Sequence, residues 1–175
     1  MVSPARNPLA GMAPLGPGTD YLEDILAVLQ PLALFEGFSV AENRQLCEYL
    51  ECYGSPGGSV IVHEGEPGTF MAIVVTGTVG VTKRGEDSEV REVAQLGPGS
   101  FLGEMSLIDG KPRFATCVTL QPSDLAVLSR DNLNRILIDH PRLGQKLLLM
   151  LLRLMTARLR ETTLRMLPQV VDGTV

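Results

Sequence analysis

The chain has 175 residues, of which 45% are hydrophobic and 20% are charged, and its formal net charge is −5. This length indicates one domain with a tail or two, and the apolar fraction is large enough for a buried core. An acidic chain without a concentrated basic patch is not typical of nucleic-acid-binding proteins, so we expect no nucleic-acid partner. A loose basic group on the last predicted helix is interpreted as a solvated face; its members are Arg153, Arg158, Arg160 and Arg165.

The sequence contains no apolar run long enough to cross a membrane. The run from Leu147 to Leu152 has six residues and none is longer, against the ~20 that a membrane-spanning helix needs. Prolines and glycines interrupt residues 1–18, which excludes the apolar stretch of a signal peptide. We therefore expect a cytoplasmic protein without a membrane partner. The cysteines show no paired spacing and are expected to be buried and reduced; they are Cys47, Cys52 and Cys117.

The N-terminal third divides into a leader and a helical segment. Residues 1–18 are rich in Pro and Gly and are predicted to be a disordered leader. Residues 19–56 are predicted to hold the N-terminal helices. Two helix starts are predicted from the spacing of a capping box, one at Asp20 with Glu23 and the other at Ser39 with Glu42.

Between residues 57 and 130, short runs of Val, Ile and Thr alternate with turns that contain Gly. Several short strands at a spacing of roughly ten residues are typical of an antiparallel sandwich or barrel. The predicted fold class is therefore mainly β with flanking helices. The predicted strands are residues 59–63, 69–76, 78–83, 90–95, 116–119 and 125–128.

Helical periodicity returns in residues 131–167, and residues 168–175 are predicted to be a tail. Pro141 opens a long final helix, because proline is favoured at the first helical position. This helix has a coiled-coil-like seam and a second apolar face, which together predict a homodimer. Packing of the seam on the β domain is the alternative. The seam comprises Leu148, Leu152, Met155 and Leu159, and the second face comprises Leu147, Leu151 and Leu154.

Residues 101–117 are unlike a strand or a core helix, and they combine groups that suit a phosphorylated ribose. Gly103 opens a short helix, whose free backbone N–H groups attract an anion. Arg113, which follows the stiff Pro112, can bind a phosphate through two parallel hydrogen bonds. Glu104 would repel a phosphate, but a carboxylate accepts hydrogen bonds well from a sugar hydroxyl. Together these residues predict a ligand site.

This segment resembles the phosphate-binding cassette of the cyclic nucleotide-binding domain family, which includes the catabolite activator protein, the regulatory subunits of cAMP-dependent kinase and cyclic nucleotide-gated channels. The family pattern is approximately F-G-E-x-[AS]-L-x-x-x-x-P-R-x-A-T, and the resemblance extends over roughly residues 30–160. It implies an eight-stranded antiparallel β-roll, a jelly-roll arrangement, with N-terminal helices and a long C-terminal helix. The matching residues are Phe101, Gly103, Glu104, Met105, Ser106, Leu107, Pro112, Arg113, Ala115 and Thr116, with Leu102 as an extra residue.

The resemblance implies how the cassette would bind its ligand. Glu104 would accept a hydrogen bond from the ribose 2′-hydroxyl, and Arg113 would pair with the cyclic phosphate. Further donors to the phosphate would come from the backbone. The backbone N–H groups implied in this role are those of Met105, Ser106 and either Phe114 or Ala115.

Three other positions bear on the shape of the pocket and the choice of ligand. Gly103 would allow close approach of the backbone, and Val75 would belong to the apolar wall under the sugar and the base. Phe114 departs from the family pattern, because relatives usually carry Ala, Ser or Thr at this position. A Thr there accompanies cGMP preference, so the resemblance implies cAMP rather than cGMP. The Phe114 ring would either crowd the pocket or lie over its rim.

Other functions fit the sequence less well. The only histidines, His63 and His140, are at structural positions and do not form a metal-binding cluster, so we expect neither an enzyme nor a cofactor or metal. Only about eight residues follow the final helix, too few for a helix-turn-helix unit. A ligand-free scaffold used for dimerisation or protein docking is the main alternative. Such a scaffold would be expected to lose the two charged site residues, so the presence of Glu104 and Arg113 favours a ligand. A cyclic dinucleotide sensor is another alternative, and an unidentified effector protein is a possible partner.

Overall fold

The computed structural model describes residues 9, 11–86 and 88–166, and its strands form two antiparallel sheets. The strands are β1 (Ala13–Pro17), β2 (Glu51–Ser55), β3 (Val60–Val62), β4 (Phe70–Val74), β5 (Val79–Arg84), β6 (Val90–Leu96), β7 (Phe101–Leu102), β8 (Thr116–Thr119) and β9 (Ser123–Ser129). One sheet has five strands in the order β1-β2-β9-β4-β7, and the other has four in the order β3-β8-β5-β6. The predicted fold class, an antiparallel β-roll with flanking helices, is confirmed.

Five α-helices and two short 3₁₀ turns accompany the sheets in the described part of the chain. The α-helices are α1 (Leu22–Leu29), α2 (Val40–Cys47), α3 (Glu104–Asp109), α4 (Arg130–Asp139) and α5 (Pro141–Met166), and the 3₁₀ turns are Gly18–Tyr21 and Ala33–Phe35. Helix α3 is the short helix that was predicted to begin after Gly103, and α5 is the long helix that was predicted to begin at Pro141. Residues 167–175, including the predicted tail, lie outside the described residues.

Two separate hydrophobic clusters lie on opposite faces of the five-stranded sheet. Because side chains alternate across a strand, Met71 and Ile73 of β4 face the helices, whereas Phe70 and Ala72 face the four-stranded sheet. We call the first cluster the helix-side core; its members include Ile25, Leu29, Leu46, Met71, Ile73, Val75, Phe101, Ile136, Leu143, Leu147 and Met150. We call the second the roll interior; it comprises Met12, Ile61, Val62, Phe70, Ala72, Val74, Val79, Leu102, Cys117, Leu125 and Val127.

The prediction of a disordered leader over residues 1–18 is wrong for its last part. Residues 13–17 form β1, which pairs antiparallel with β2 at the edge of the five-stranded sheet. Prolines are accepted in an edge strand, because one side of the strand has no neighbour that needs its N–H groups. Residues 1–8 and 10 lie outside the described residues.

The helical interpretation of residues 19–56 also needs correction. Ser39 and Glu42 form the predicted capping box at the start of α2, with reciprocal hydrogen bonds. The corresponding box at Asp20 is wrong, since α1 begins after Tyr21 and no side chain caps it. Residues 51–55 are a strand rather than the end of a helix, because pairing with β9 covers their backbone on one side and pairing with β1 on the other.

Candidate functional site

Arg113 is held at both its backbone and its side chain. Its N–H donates to the carbonyl of Glu66 over 2.8 Å, and its own carbonyl accepts from the N–H of Gly65 over 2.9 Å. Only 5% of the residue is exposed, and its Nη1 donates to the carbonyl of Gly103 over 2.8 Å. The guanidinium carbon lies 4.5 Å from the centre of the Phe70 ring, within the range of a cation–π interaction. The loop before β4 and the β7–α3 junction therefore fix the position of this cation.

Glu104 is the first residue of α3 and is only 1% exposed. Its Oε1 accepts a hydrogen bond from Nη1 of Arg158 on α5, and Nη2 of Arg158 donates to the carbonyl of Phe101 over 2.7 Å. Burial raises the pKa of the Glu104 carboxyl, and the charges of Arg158 and, to a smaller extent, Arg113 oppose this shift. A side chain from the final helix thus reaches the residue that the sequence predicted as the ribose ligand.

In the part of the chain that the structure describes, Glu104 and Arg113 each carry one buried polar atom without a hydrogen-bond partner. Among the described residues, Oε2 of Glu104 and Nη2 of Arg113 are buried and have no hydrogen-bond partner. A buried polar atom left in this state costs about 1–3 kcal/mol, so most such atoms in proteins have a partner. An acceptor and a cationic donor next to Gly103 suit a ligand that presents both a hydroxyl and an anionic group.

Two glycines allow the cassette to pack this closely. Gly103 has a φ of +76°, in the left-handed region that favours glycine, and a Cβ there would lie 2.5 Å from Nη1 of Arg113. A Cβ on Gly68 would lie 2.3 Å from Cβ of Ser106 and 2.9 Å from Nε of Arg113. Gly68 was not singled out from the sequence, because its neighbours Ser106 and Arg113 are distant along the chain.

The other cassette residues differ in exposure. Ser106 is buried, and its carbonyl accepts from Nη2 of Arg130 over 2.7 Å, whereas Met105 is exposed. The N–H groups of Met105 and Ser106 lie in the first turn of α3, where a helix provides no acceptor for them. Ala115 is half-buried. Phe114 is 56% exposed, and Nζ of Lys83 lies 4.5 Å from the centre of its ring, so the ring lies at the outer rim of the cassette.

Val75 does not lie with the rest of the predicted site. It follows β4 directly and belongs to the helix-side core, together with Met71 and Ile73. Arg113 instead rests on Phe70, which faces the roll interior on the opposite side of the same strand. The prediction that Val75 forms the wall of the site is therefore wrong, because a shift of one residue along a strand changes the face of the sheet.

Arg158 corrects the interpretation of the basic group on α5 as a solvated face. Its side chain is 37% exposed, and its guanidinium contacts the buried Glu104. A signal for this role exists in the sequence, because Arg158 follows Leu147, Leu151 and Leu154 at helical spacing and so continues the buried stripe. Phe70, Arg130 and Lys83 also contact the cassette, but no local pattern in the sequence predicts these contacts.

Two features are absent from the described part of the chain. No helix there is long and apolar enough to cross a membrane. The same residues contain no group of three or more His, Cys, Asp or Glu side chains placed to hold a metal ion. The three cysteines are free and buried, and burial raises the pKa of the Cys117 thiol to about 12.

The fold and the sequence of residues 55–140 match known domains. A family model described as the cyclic nucleotide-binding domain matches residues 55–140. The crystal structure of a cyclic nucleotide-binding domain from Methylobacillus flagellatus is 39% identical with a TM-score of 0.85, covering 97% of this chain and 99% of that one. The catabolite activator protein of Thermus thermophilus is 30% identical with a TM-score of 0.67, covering 75% of this chain and 60% of that one.

Curated relatives carry the same region within longer proteins. A CRP-like cAMP-activated global transcriptional regulator of Mycobacterium tuberculosis is 29% identical over 135 residues, which are 77% of this chain and 58% of that protein. The cAMP-dependent protein kinase regulatory subunit of Aspergillus niger is 30% identical over 111 residues, which are 63% of this chain and 26% of that protein. The chain therefore spans less than two thirds of the length of these relatives, both of which are regulatory proteins by name.

Proposed function

The chain belongs to the cyclic nucleotide-binding domain family, as its cassette predicted, and on this basis we propose that it is a regulatory domain that binds cAMP. The observation that carries the proposal is the pair of unpartnered atoms, Oε2 of Glu104 and Nη2 of Arg113, buried next to Gly103. The ribose 2′-hydroxyl donates to Glu104, and the cyclic phosphate accepts from Arg113. The N–H groups of Met105 and Ser106 add donors from the first turn of α3.

The preference for cAMP over cGMP rests on Phe114. Its side chain has no hydroxyl that could donate to the phosphate or contact a guanine, and its ring lies at the exposed rim. The curated relatives from Mycobacterium tuberculosis and Aspergillus niger are named for cAMP, which supports the same choice.

Occupancy of the site is transmitted through α5. Arg158 links this helix to Glu104 and to the carbonyl of Phe101, so the ribose hydroxyl and Arg158 share one carboxylate. A ligand that changes the free energy of this contact shifts the equilibrium between two positions of α5. The direct contact between a ligand-binding carboxylate and the final helix supports this route.

The partner that binds α5, and whose binding depends on the position of this helix, is a second copy of the chain. Leu143, Leu147 and Met150 bury one side of α5 in the helix-side core. A neighbouring face of α5 carries the seam predicted from the sequence, in which Leu148, Leu152 and Leu159 are exposed and Met155 is half-buried. An apolar face of this length on a helix favours pairing with a like helix. An unidentified effector protein is the other candidate partner for this seam, and the sedimentation experiment below distinguishes the two.

Calorimetry with cAMP tests the site. We expect wild type to bind, and Arg113→Ala to lose about 2–5 kcal/mol of binding free energy, because the charge on the phosphate then has no partner. Glu104→Gln keeps the size of the side chain and removes the carboxylate charge, so it lowers affinity without the same risk to folding. Arg153→Ala is the matched control, since Arg153 is exposed on α5. Circular dichroism verifies that each variant is folded.

Other outcomes of the same titrations lead to different conclusions. Equal heats from wild type and Arg113→Ala would remove Arg113 from the site. Heat with a cyclic dinucleotide alone would identify a different ligand, and no heat with either nucleotide would favour a scaffold. Sedimentation of the same samples with and without cAMP tests the pairing of α5. A monomer under both conditions would contradict the homodimer and leave an effector protein as the partner.

A further inference from the structure

Lys83, near the end of β5, contacts the cassette at the residue after Arg113. Its Nζ donates to the carbonyl of Phe114 over 2.7 Å and lies 4.5 Å from the centre of the Phe114 ring. One ammonium group therefore binds both the backbone and the side chain of the same residue. The exposed Phe114 ring is held at the rim because the cation–π attraction and the hydrogen bond both come from the Lys83 ammonium group.

The position of Lys83 is itself set by Glu64. Nζ of Lys83 donates to Oε1 of Glu64 over 2.6 Å, and Oε2 of Glu64 accepts from the N–H of Arg84 over 3.0 Å. The N–H of Glu64 donates to Oγ1 of Thr116 over 3.0 Å, at the start of β8. Lys83 and Glu64 thus connect β5, the loop after β3 and the segment that leads from Arg113 into β8.

The contact with the Phe114 carbonyl determines the orientation of the following N–H. The peptide bonds of the described residues are trans, and in a trans peptide the carbonyl and the next N–H point in opposite directions. When the Phe114 carbonyl points to Lys83, the N–H of Ala115 points away from Lys83. Within the described residues no backbone acceptor binds this N–H.

We propose that Lys83 is a positioning residue of the phosphate site, which acts by holding the Phe114–Ala115 peptide so that the Ala115 N–H is presented to the ligand. This inference rests on the proposed function and extends it to a residue outside the cassette. Lys83 also holds the Phe114 ring through the cation–π contact. Its role is to orient a donor.

Binding of cAMP and of its two phosphorothioate diastereomers tests this role. Each diastereomer has sulfur in place of one exocyclic phosphate oxygen, so their affinity ratio reports how differently the two oxygens are bound. Lys83→Met keeps the aliphatic stem and removes the donor. We expect it to weaken cAMP binding about 5- to 10-fold, the effect of one lost hydrogen bond, and to move the diastereomer ratio toward one. Lys83→Arg, which keeps a charged donor, restores most of the affinity and of the ratio.

Arg84→Met is the matched control, because it removes the same charge from the next residue, which contacts Glu64 through its backbone. We expect its diastereomer ratio to equal that of wild type. Wild-type affinity in Lys83→Met, or an unchanged ratio despite weaker binding, would overturn the positioning role while leaving the proposed function intact. Failure of the unaltered chain to bind cAMP would overturn the proposed function and this inference together.

Discussion

The helix-side core and the roll interior share the strand β4 but differ in what they enclose. The helix-side core contains apolar side chains from β4 and from α1, α2, α4 and α5, and its residues contact one another. The roll interior borders a buried cation, Arg113, which rests on Phe70, with the buried Glu104 nearby in the cassette. Apolar burial in both clusters stabilises folding, whereas burying the charges of Arg113 and Glu104 beside the roll interior opposes it, so only the second region carries groups suited to binding.

The difference indicates how one small domain separates folding from ligand binding. We expect substitutions among the α1, α2, α4 and α5 residues of the helix-side core to change the free energy of unfolding more than the orientation of Arg113. Substitutions next to Arg113 change both quantities. Helix α5 joins the two regions, since Leu147 packs in the helix-side core and Arg158, farther along the helix, bonds Glu104.

The largest expected effect is on stability, from Leu147→Ala. Leu147 is 1% exposed in the helix-side core, and truncating such a leucine costs about 2–5 kcal/mol through lost burial and a remaining cavity. Leu164→Ala is the control, because Leu164 lies on the same helix and is 68% exposed, so its effect should stay within about 0.5 kcal/mol. Chemical denaturation measures both. Similar losses from the two variants would contradict the assignment of the buried face of α5.

A smaller effect, on stability and affinity together, is expected from Gly68→Ala. The new Cβ would collide with Ser106 and with Nε of Arg113, so the cassette must shift, at a cost of about 1–3 kcal/mol. Binding of cAMP should weaken as well, because Arg113 leaves its position. Gly37→Ala is the control, since no atom lies within 4 Å of a Cβ at that position. Unchanged cAMP affinity in Gly68→Ala would contradict the assignment of Arg113 to the ligand site.

The smallest effects expected are in the pH dependence of stability, and they have opposite signs at Glu42 and at Glu104. Hydrogen bonds from Lys146 and from the Ser39 backbone lower the pKa of Glu42 to about 2. The ionised Glu42 therefore adds to the free energy of unfolding at pH values above its pKa in the unfolded chain, and this stabilisation is lost as the pH falls toward 2. Burial raises the pKa of Glu104 in the folded protein. Its contribution to the free energy of unfolding is therefore fully present below the pKa that it has in the unfolded chain, and it is lost as the pH rises through the pKa of the folded protein. Denaturation of Glu42→Gln and Glu104→Gln over a range of pH tests both signs.

In that experiment, Glu42→Gln should have a lower free energy of unfolding than wild type near neutral pH, and this difference should disappear as the solution becomes more acidic. Glu104→Gln should improve relative to wild type as the pH increases above about 4.5, the ordinary value for a glutamate. The same direction of change in both variants would contradict the difference between the two carboxylates.

Much of the local structure could be predicted from the sequence, because local signals act within a few residues. The capping box at Ser39 and the helix start after Gly103 depend on hydrogen bonds and backbone angles inside one turn. The predicted strands match β3 to β6, β8 and β9 within a few residues, since Gly or Pro marks the turns between them. Family resemblance added a cyclic nucleotide as the expected ligand of Glu104 and Arg113, which residue types and spacing alone do not supply.

The sequence by itself determined the alternation of strands and turns, the cassette and the apolar faces of α5. Only the tertiary structure decided that Val75 faces the helices, that Arg158 bonds Glu104 and that Lys83 holds Phe114. The reason is that these contacts join segments distant along the chain, where strand register and helix packing set the partners. A local pattern restricts the conformation of a segment but does not specify which distant side chain lies against it.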